Sequence, residues 1–157
     1  MESWDTADSS YQATYRFHWG RDKIPIDNDQ YDWVHASHVL EHLPWWQTID
    51  ALKEVHRILK PGGAVTIWVP DALGIIKMHE QNPEMFLKLE SDWNCGGLNP
   101  EKDAWKYLNG RVFWGARPGE RGQEQHFHRA MFGYESLCHV LTRAGFVATR
   151  PLERTIS

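Results

Sequence analysis

Residues 31–70 read YDWVHASHVLEHLPWWQTIDALKEVHRILKPGGAVTIWVP. A short apolar run at 33–36 reaches a polar break at Ser37-His38. A helix-period segment follows, then Lys60-Pro61-Gly62-Gly63, then a second apolar run at 64–69. Strand, helix, Pro-Gly turn and strand in that order make a βαβ crossover, which implies a parallel sheet. In an open parallel sheet, ligands bind at the carboxyl ends of the strands. Ser37-His38 and Pro70-Asp71 fall at such ends. The stretch that decides the fold therefore also marks the expected site. Its helix is expected to start at Trp45 and to line up Trp45, Ile49, Leu52, Val55 and Leu59 on one face, with Lys53, Glu54 and Arg57 solvated. Pro61 is expected to stop the helix, and Gly62-Gly63 to supply the positive-φ turn that follows.

Outward from this stretch the pattern weakens. Residues 1–30 are polar and irregular, with one alternating segment at 13–17 that suits a short strand. Residues 71–133 read as an aromatic-rich insertion between regular elements. Within it, Asn82-Pro83-Glu84 and Asn99-Pro100-Glu101 each place an Asn cap before Pro at a first helical position. Short helices are expected near 83–89 and 101–108. The segment at 115–122, GARPGERG, has loop composition. Residues 134–144 read as a helix carrying Leu137, Val140 and Leu141 on one face, with Gly145 as its stop. A last strand is expected at 146–152.

The 157 residues suit a single domain spanning 1–157 with one core. A net charge of −4 with scattered Lys and Arg gives no electrostatic reason to expect a nucleic-acid partner. The only two cysteines, Cys95 and Cys138, form no close pair, which suits a reducing cytoplasmic compartment. No apolar run approaches the ~20 residues of a membrane span, and no basic-then-apolar signal pattern opens the chain. Nine Trp are unusual in one domain and point either to a Trp-rich core or to a site or interface lined by aromatic rings.

Two histidine groups stand out. His38-Val39-Leu40-Glu41-His42 matches H-x-x-E-H, in which His38 and His42 would hold zinc and Glu41 would act as general base. The segment directly follows a strand, and Pro44 leaves too little helix to align the two imidazoles. No metal is expected there, and a zinc hydrolase stands as the least favoured reading. His126-Phe127-His128 places two imidazoles on one side of an extended segment, where they could bind substrate or move protons. A capping or surface role before the helix at 134 is the plainer reading. Asp71 is equally a strand-end functional residue or a helix N-cap.

The stretches IPIDNDQYDWVHASHVLEHL, LKEVHRILKPGG with AVTIWVP, and YESLCHVLTRAGF resemble the later half of class I S-adenosylmethionine-dependent methyltransferases, of the methyltransferase type 11-like kind. That resemblance implies an α/β, three-layer Rossmann-like fold with a truncated, mostly parallel sheet, in which residues 31–36 are the fourth strand and 64–69 the fifth. It implies S-adenosylmethionine as cofactor. The family's glycine-rich GxGxG turn, where only Gly lets the backbone approach the ligand, is not found in this sequence. The match begins after the first strand and helix and ends before a seventh strand. By the resemblance, Asp5 or Asp8 would take the place of the acid that binds the ribose. Trp19 and Gly20 fall where the adenine-loop acid is usual, and Ser37 and His38 face the cofactor. Asp71, Trp93, Trp114, His126 and His128, with Trp105 and Phe113, would line an acceptor pocket.

These features imply a methyltransferase-like protein, incomplete or weakly active as this chain. The alternative is a non-enzymatic interaction or scaffold protein built on the same fold. Missing its first-strand neighbour, the strand at 33–37 would present an apolar edge. A homodimer or a partner chain is expected to complete the sheet, unless residues 10–17 pair with it instead.

Overall fold

The crossover expected at 31–70 is present in the computed structural model, which describes residues 5–8, 12–84, 101–113 and 127–151. The strands are β1 (Ala7–Asp8), β2 (Tyr15–Arg16), β3 (Tyr31–Ser37) and β4 (Leu59–Trp68). The helices are α1 (Thr48–Ile58), α2 (Ala72–Gln81), α3 (Ala104–Phe113) and α4 (Tyr134–Ala144), and 3₁₀ turns occupy Leu40–His42 and Trp45–Gln47. By internal contacts the chain divides into two units. One comprises residues 1–37, 46–67 and 134–157, and the other 38–45 and 68–133.

In the first unit β3 and β4 are neighbours. Gln30 N donates to Ile58 O at 2.8 Å before the pair, and His38 N donates to Trp68 O at 2.8 Å after it. The two bonds advance in the same direction along both strands, so the pair is parallel. Between those acceptors β4 is longer than the matching part of β3. The surplus is taken up near Pro61-Gly62: Asp32 faces both Lys60, whose ammonium it binds at 2.8 Å, and Gly63, where a Cβ would stand 3.2 Å from Asp32 O. Gly62 has φ of +81°, which a side chain would strain.

Helix α1 buries Ala51, Leu52, Val55 and Ile58. Full burial of a Val, Leu or Ile side chain contributes about 1.5–3 kcal/mol. Val55, Ile58 and Leu59 pack with Ile24 into a core onto which Phe17, Trp19, Ile26, Tyr31, Val34, Val65 and Phe146 close. Helix α4 packs on α1. It ends at Gly145, which takes φ of +110° and has the edge of the His56 ring 3.3 Å from where a Cβ would stand. In the second unit α2 packs on α3, and Leu40, Leu43, Ala72, Tyr107, Val112, Ala130 and Phe132 are buried.

Several expectations are corrected. Helix α1 starts at Thr48, not Trp45, because Trp45–Gln47 is a separate 3₁₀ turn that leaves Trp45 71% exposed. Pro61 does not stop the helix. Leu59 already leaves it with an extended backbone, and the Lys-Pro-Gly-Gly segment belongs to β4. The expected strand at 13–17 shrinks to β2, which pairs in parallel with β1 and not with β3. Residues 71–133 are not merely an irregular insertion, since they hold α2 and α3. The helix expected at 101–108 runs instead from Ala104 to Phe113, because Asp103 caps it, its Oδ1 accepting from Lys106 N at 2.8 Å. The helix expected at 83–89 lies mostly outside the described residues, as does the loop at 115–122. No strand forms at 146–151, where Val147 is fully exposed. Helix 134–144 and its Gly145 stop are as expected. In place of one truncated sheet, the described residues form two two-stranded sheets, β1-β2 and β3-β4. The architecture is mixed helix and strand with parallel pairing, compatible with an α/β methyltransferase fold.

Candidate functional site

In the first unit, Asp8 ends β1 and Ser37 ends β3, both at the carboxyl ends where parallel sheets meet ligands. Asp5 is differently placed. It precedes β1, and its carboxylate accepts from the hydroxyl of Tyr31, the first residue of β3, at 2.6 Å. Asp5 therefore stands at the amino end of β3, before β1 begins, while Asp8, the other acid the resemblance offers for the ribose, ends β1. Burial, together with hydrogen bonding to Asp5 and Tyr15, pushes the Tyr31 phenol above its ordinary value. An open cavity of about 440 Å³ lies here, lined by Asp5, Tyr15, Pro25, Ile26, Asp27, Gln30 and Tyr31.

Trp19 has a structural task. Its ring packs on the core and its indole N–H donates to Ala51 O at 2.9 Å, tying the loop before β3 to α1. Gly20 follows in a turn with φ of +80°.

The second unit gathers the titratable groups. His38 leaves β3 with φ of +52°, an uncommon conformation for a residue with a Cβ. Its backbone is held by the bond to Trp68 O, and its Nδ1 lies 3.2 Å from Glu41 Oε1. The 3₁₀ turn at Leu40–His42 then carries Glu41 inward. The Glu41 side chain is 2% exposed, whereas that of His38 is 62% exposed. Glu41 Oε2 is buried and has no hydrogen-bond partner among the described residues.

Backbone bonds draw the segment at 128–130 onto this turn. Glu41 O accepts from Arg129 N at 2.7 Å and from Ala130 N at 3.2 Å, and His128 N donates to Phe113 O at 2.9 Å. The His42 and His128 rings stand edge-to-face with centroids 5.0 Å apart. His42 Nδ1 lies 3.3 Å from Phe127 O, and His128 Nδ1 lies 3.1 Å from Val112 O. A carbonyl oxygen only accepts, so Nδ1 is the protonated nitrogen of each ring, and the lone pair of the neutral ring sits on Nε2. Burial holds the His128 imidazole below its ordinary value of 6.5, partly opposed by the Val112 carbonyl bond, and the nearby His42 lowers it further. Ligand atoms of Glu41, His42 and His128 all lie within 4.8 Å of one another.

Asp71 takes the plainer of its two roles. It caps α2, accepting from Gly74 N at 3.0 Å. It also forms a parallel bridge with Phe132, and Ala72 N donates to Phe132 O at 2.9 Å. Trp93, Trp114 and His126 lie outside the described residues. Of the two expected acceptor histidines, only His128 is described; its ring bonds Val112 O and stands against the His42 ring. Sequence reasoning about H-x-x-E-H pairs His38 with His42, whereas the fold brings together Glu41, His42 and His128. The motif flags two of those three. Nothing local joins them to His128, which reaches them through backbone bonds of a segment distant in the chain.

No helix among the described residues is long and apolar enough to cross a membrane. Comparison with curated proteins and with solved structures returns no match. A family model described as a methyltransferase domain matches residues 4–150, nearly the whole chain, including the crossover and helix α4. The chain belongs to that methyltransferase domain family.

Proposed function

We propose that the chain is an S-adenosylmethionine-dependent methyltransferase domain that by itself holds the cofactor weakly. The family match over residues 4–150 carries this reading. The parallel crossover supports it, with Ser37 at the end of β3 and Asp8 at the end of β1. The residues present fit the cofactor only in part. By the family resemblance, Asp8 at the end of β1 and Ser37 at the end of β3 would meet the adenosine half. The sequence holds no GxGxG turn to receive the methionine half, and the cavity beside Asp5 opens at the amino end of β3. A few hydrogen bonds of about 1 kcal/mol net each do not make a tight complex. When bound, the cofactor supplies the electrophilic methyl group, and the task of the chain is to position the acceptor. Trp105 and Phe113, exposed on α3, are described members of the aromatic surface available for that.

Calorimetric titration of the full chain with S-adenosylmethionine is expected to give affinity weaker than micromolar. Low-micromolar affinity in the isolated monomer would show that the cofactor clamp lies elsewhere. A second reading, an interaction protein built on the same fold, is favoured by the exposure of Trp33 at 49% and Trp68 at 47%. Its partner would be a second copy or another chain that completes the sheet beside β3. Absence of any cofactor binding at millimolar concentration would favour it.

A further inference from the structure

We propose that Glu41, His42 and His128 form a binding site for one divalent transition-metal ion, zinc being the ion this donor set suits. Three observations carry it. Glu41 is buried and presents a carboxylate oxygen with no hydrogen-bond partner among the described residues. Such an atom is costly unless an ion or water completes it. Both imidazoles have Nδ1 engaged by a backbone carbonyl, Phe127 O for His42 and Val112 O for His128. That bond fixes the tautomer that leaves Nε2 as the donor, an arrangement typical of histidines that bind metals. The third observation is convergence, since the ligand atoms of all three residues lie within 4.8 Å of one another.

A tetrahedral site with bonds of about 2.1 Å would bring the donor atoms to about 3.4 Å apart. Two imidazoles and a carboxylate suit zinc or a neighbouring transition ion better than magnesium or calcium, which prefer oxygen alone. The H-x-x-E-H motif takes on a different meaning here. His38 is not a ligand; it holds Oε1 of Glu41 at 3.2 Å and so orients the carboxylate. Glu41 is a ligand and not a general base. Three protein donors leave at least one coordination position for water or a substrate oxygen.

The test of this site uses no cofactor. The full chain, stripped with a chelator and dialysed against zinc, is expected to retain one zinc per chain by elemental analysis. Competition titration should show affinity reduced more than tenfold by Glu41→Gln, His42→Gln and His128→Gln, and unchanged by His139→Gln on α4. Sub-stoichiometric zinc, or equal binding by wild type and His128→Gln, overturns the proposal. So does a loss in His139→Gln as large as in the ligand variants. Should a ligand variant fail to fold, nitrogen NMR of the wild-type imidazoles decides. Zinc must shift Nε2 of both His42 and His128, and shifts confined to other histidines overturn the site.

Discussion

Arg57 shows how a single side chain organises the first unit. Its guanidinium donates to Ile26 O at 2.7 Å, to Ile24 O at 3.0 Å and to Asn28 Oδ1 at 3.0 Å, and it pairs with Glu54 at 2.8 Å. Glu54 returns to the same loop by accepting from Ile24 N at 3.0 Å. The pair therefore fastens residues 24–28 to α1, just ahead of β3, and it does so with side chains only 18% and 25% exposed. The sequence reading places both residues on a solvated face; the fold covers them because a loop without regular structure needs its backbone groups satisfied. The hydrogen bond from Arg57 holds the Glu54 carboxyl below its ordinary value of 4.5. A carboxyl lowered by folding adds stability that is complete above its unfolded value and fades as pH falls through the folded one. Glu54→Gln is thus expected to lower stability at neutral pH by about 2 kcal/mol, with the deficit shrinking in acid. Urea denaturation at neutral and acidic pH checks this, and equal deficits at both would locate the effect outside ionisation. Arg57→Lys should recover less than half of what Arg57→Ala loses, because an ammonium cannot reproduce the planar fork.

The junction of α1 and β4 makes its own prediction. At Gly63 a Cβ would meet Lys60 O at 2.9 Å and Asp32 O at 3.2 Å, both backbone atoms, so the β3–β4 pair must part to admit it. At Gly62 the space is open, and only the positive φ opposes a side chain. Gly63→Ala is expected to destabilise by about 2–3 kcal/mol and to loosen amide protection in β3, whereas Gly62→Ala should cost about 1 kcal/mol and leave protection unchanged. Hydrogen exchange of the two variants separates steric from torsional cost. The same junction shows what was legible in the sequence. Helix α4 and the crossover could be read because apolar spacing over a long segment agrees with its caps. Helix α2 was legible only in fragments. Asp71 is a valid N-cap, and Ile75 and Ile76 stand three and four residues after Ala72, but Gly74 and weak amphipathicity hide the element. Strands β1 and β2, two residues each, are too short for any period to show. The site was half legible for the same reason. Glu41 and His42 are neighbours within a motif, whereas His128 joins them only through the bonds of Arg129 and Ala130 to Glu41 O.

At the scale of the molecule, β3 bears on assembly. Its one strand neighbour among the described residues is β4, and β2, in the segment offered as cover for its other side, pairs with β1 instead. A strand edge of this length is a template for another chain. Trp33 remains 49% exposed, so covering its ring would recover apolar area at about 25 cal/mol per Å². A symmetric pair is the commonest way for identical chains to close such an edge. Asp32 and His35 along β3 temper the drive without abolishing it, since Asp32 is already paired with Lys60 at 2.8 Å. We therefore propose a homodimer through β3. Light scattering should give twice the mass of the chain at high concentration, and Trp33→Lys should shift the population to monomer, because two ammonium groups would oppose each other across the two-fold axis. Trp105→Lys, on α3, should leave it unchanged. A strict monomer whose residues 33–37 are nevertheless protected from hydrogen exchange would mean that the chain closes the edge with its own residues.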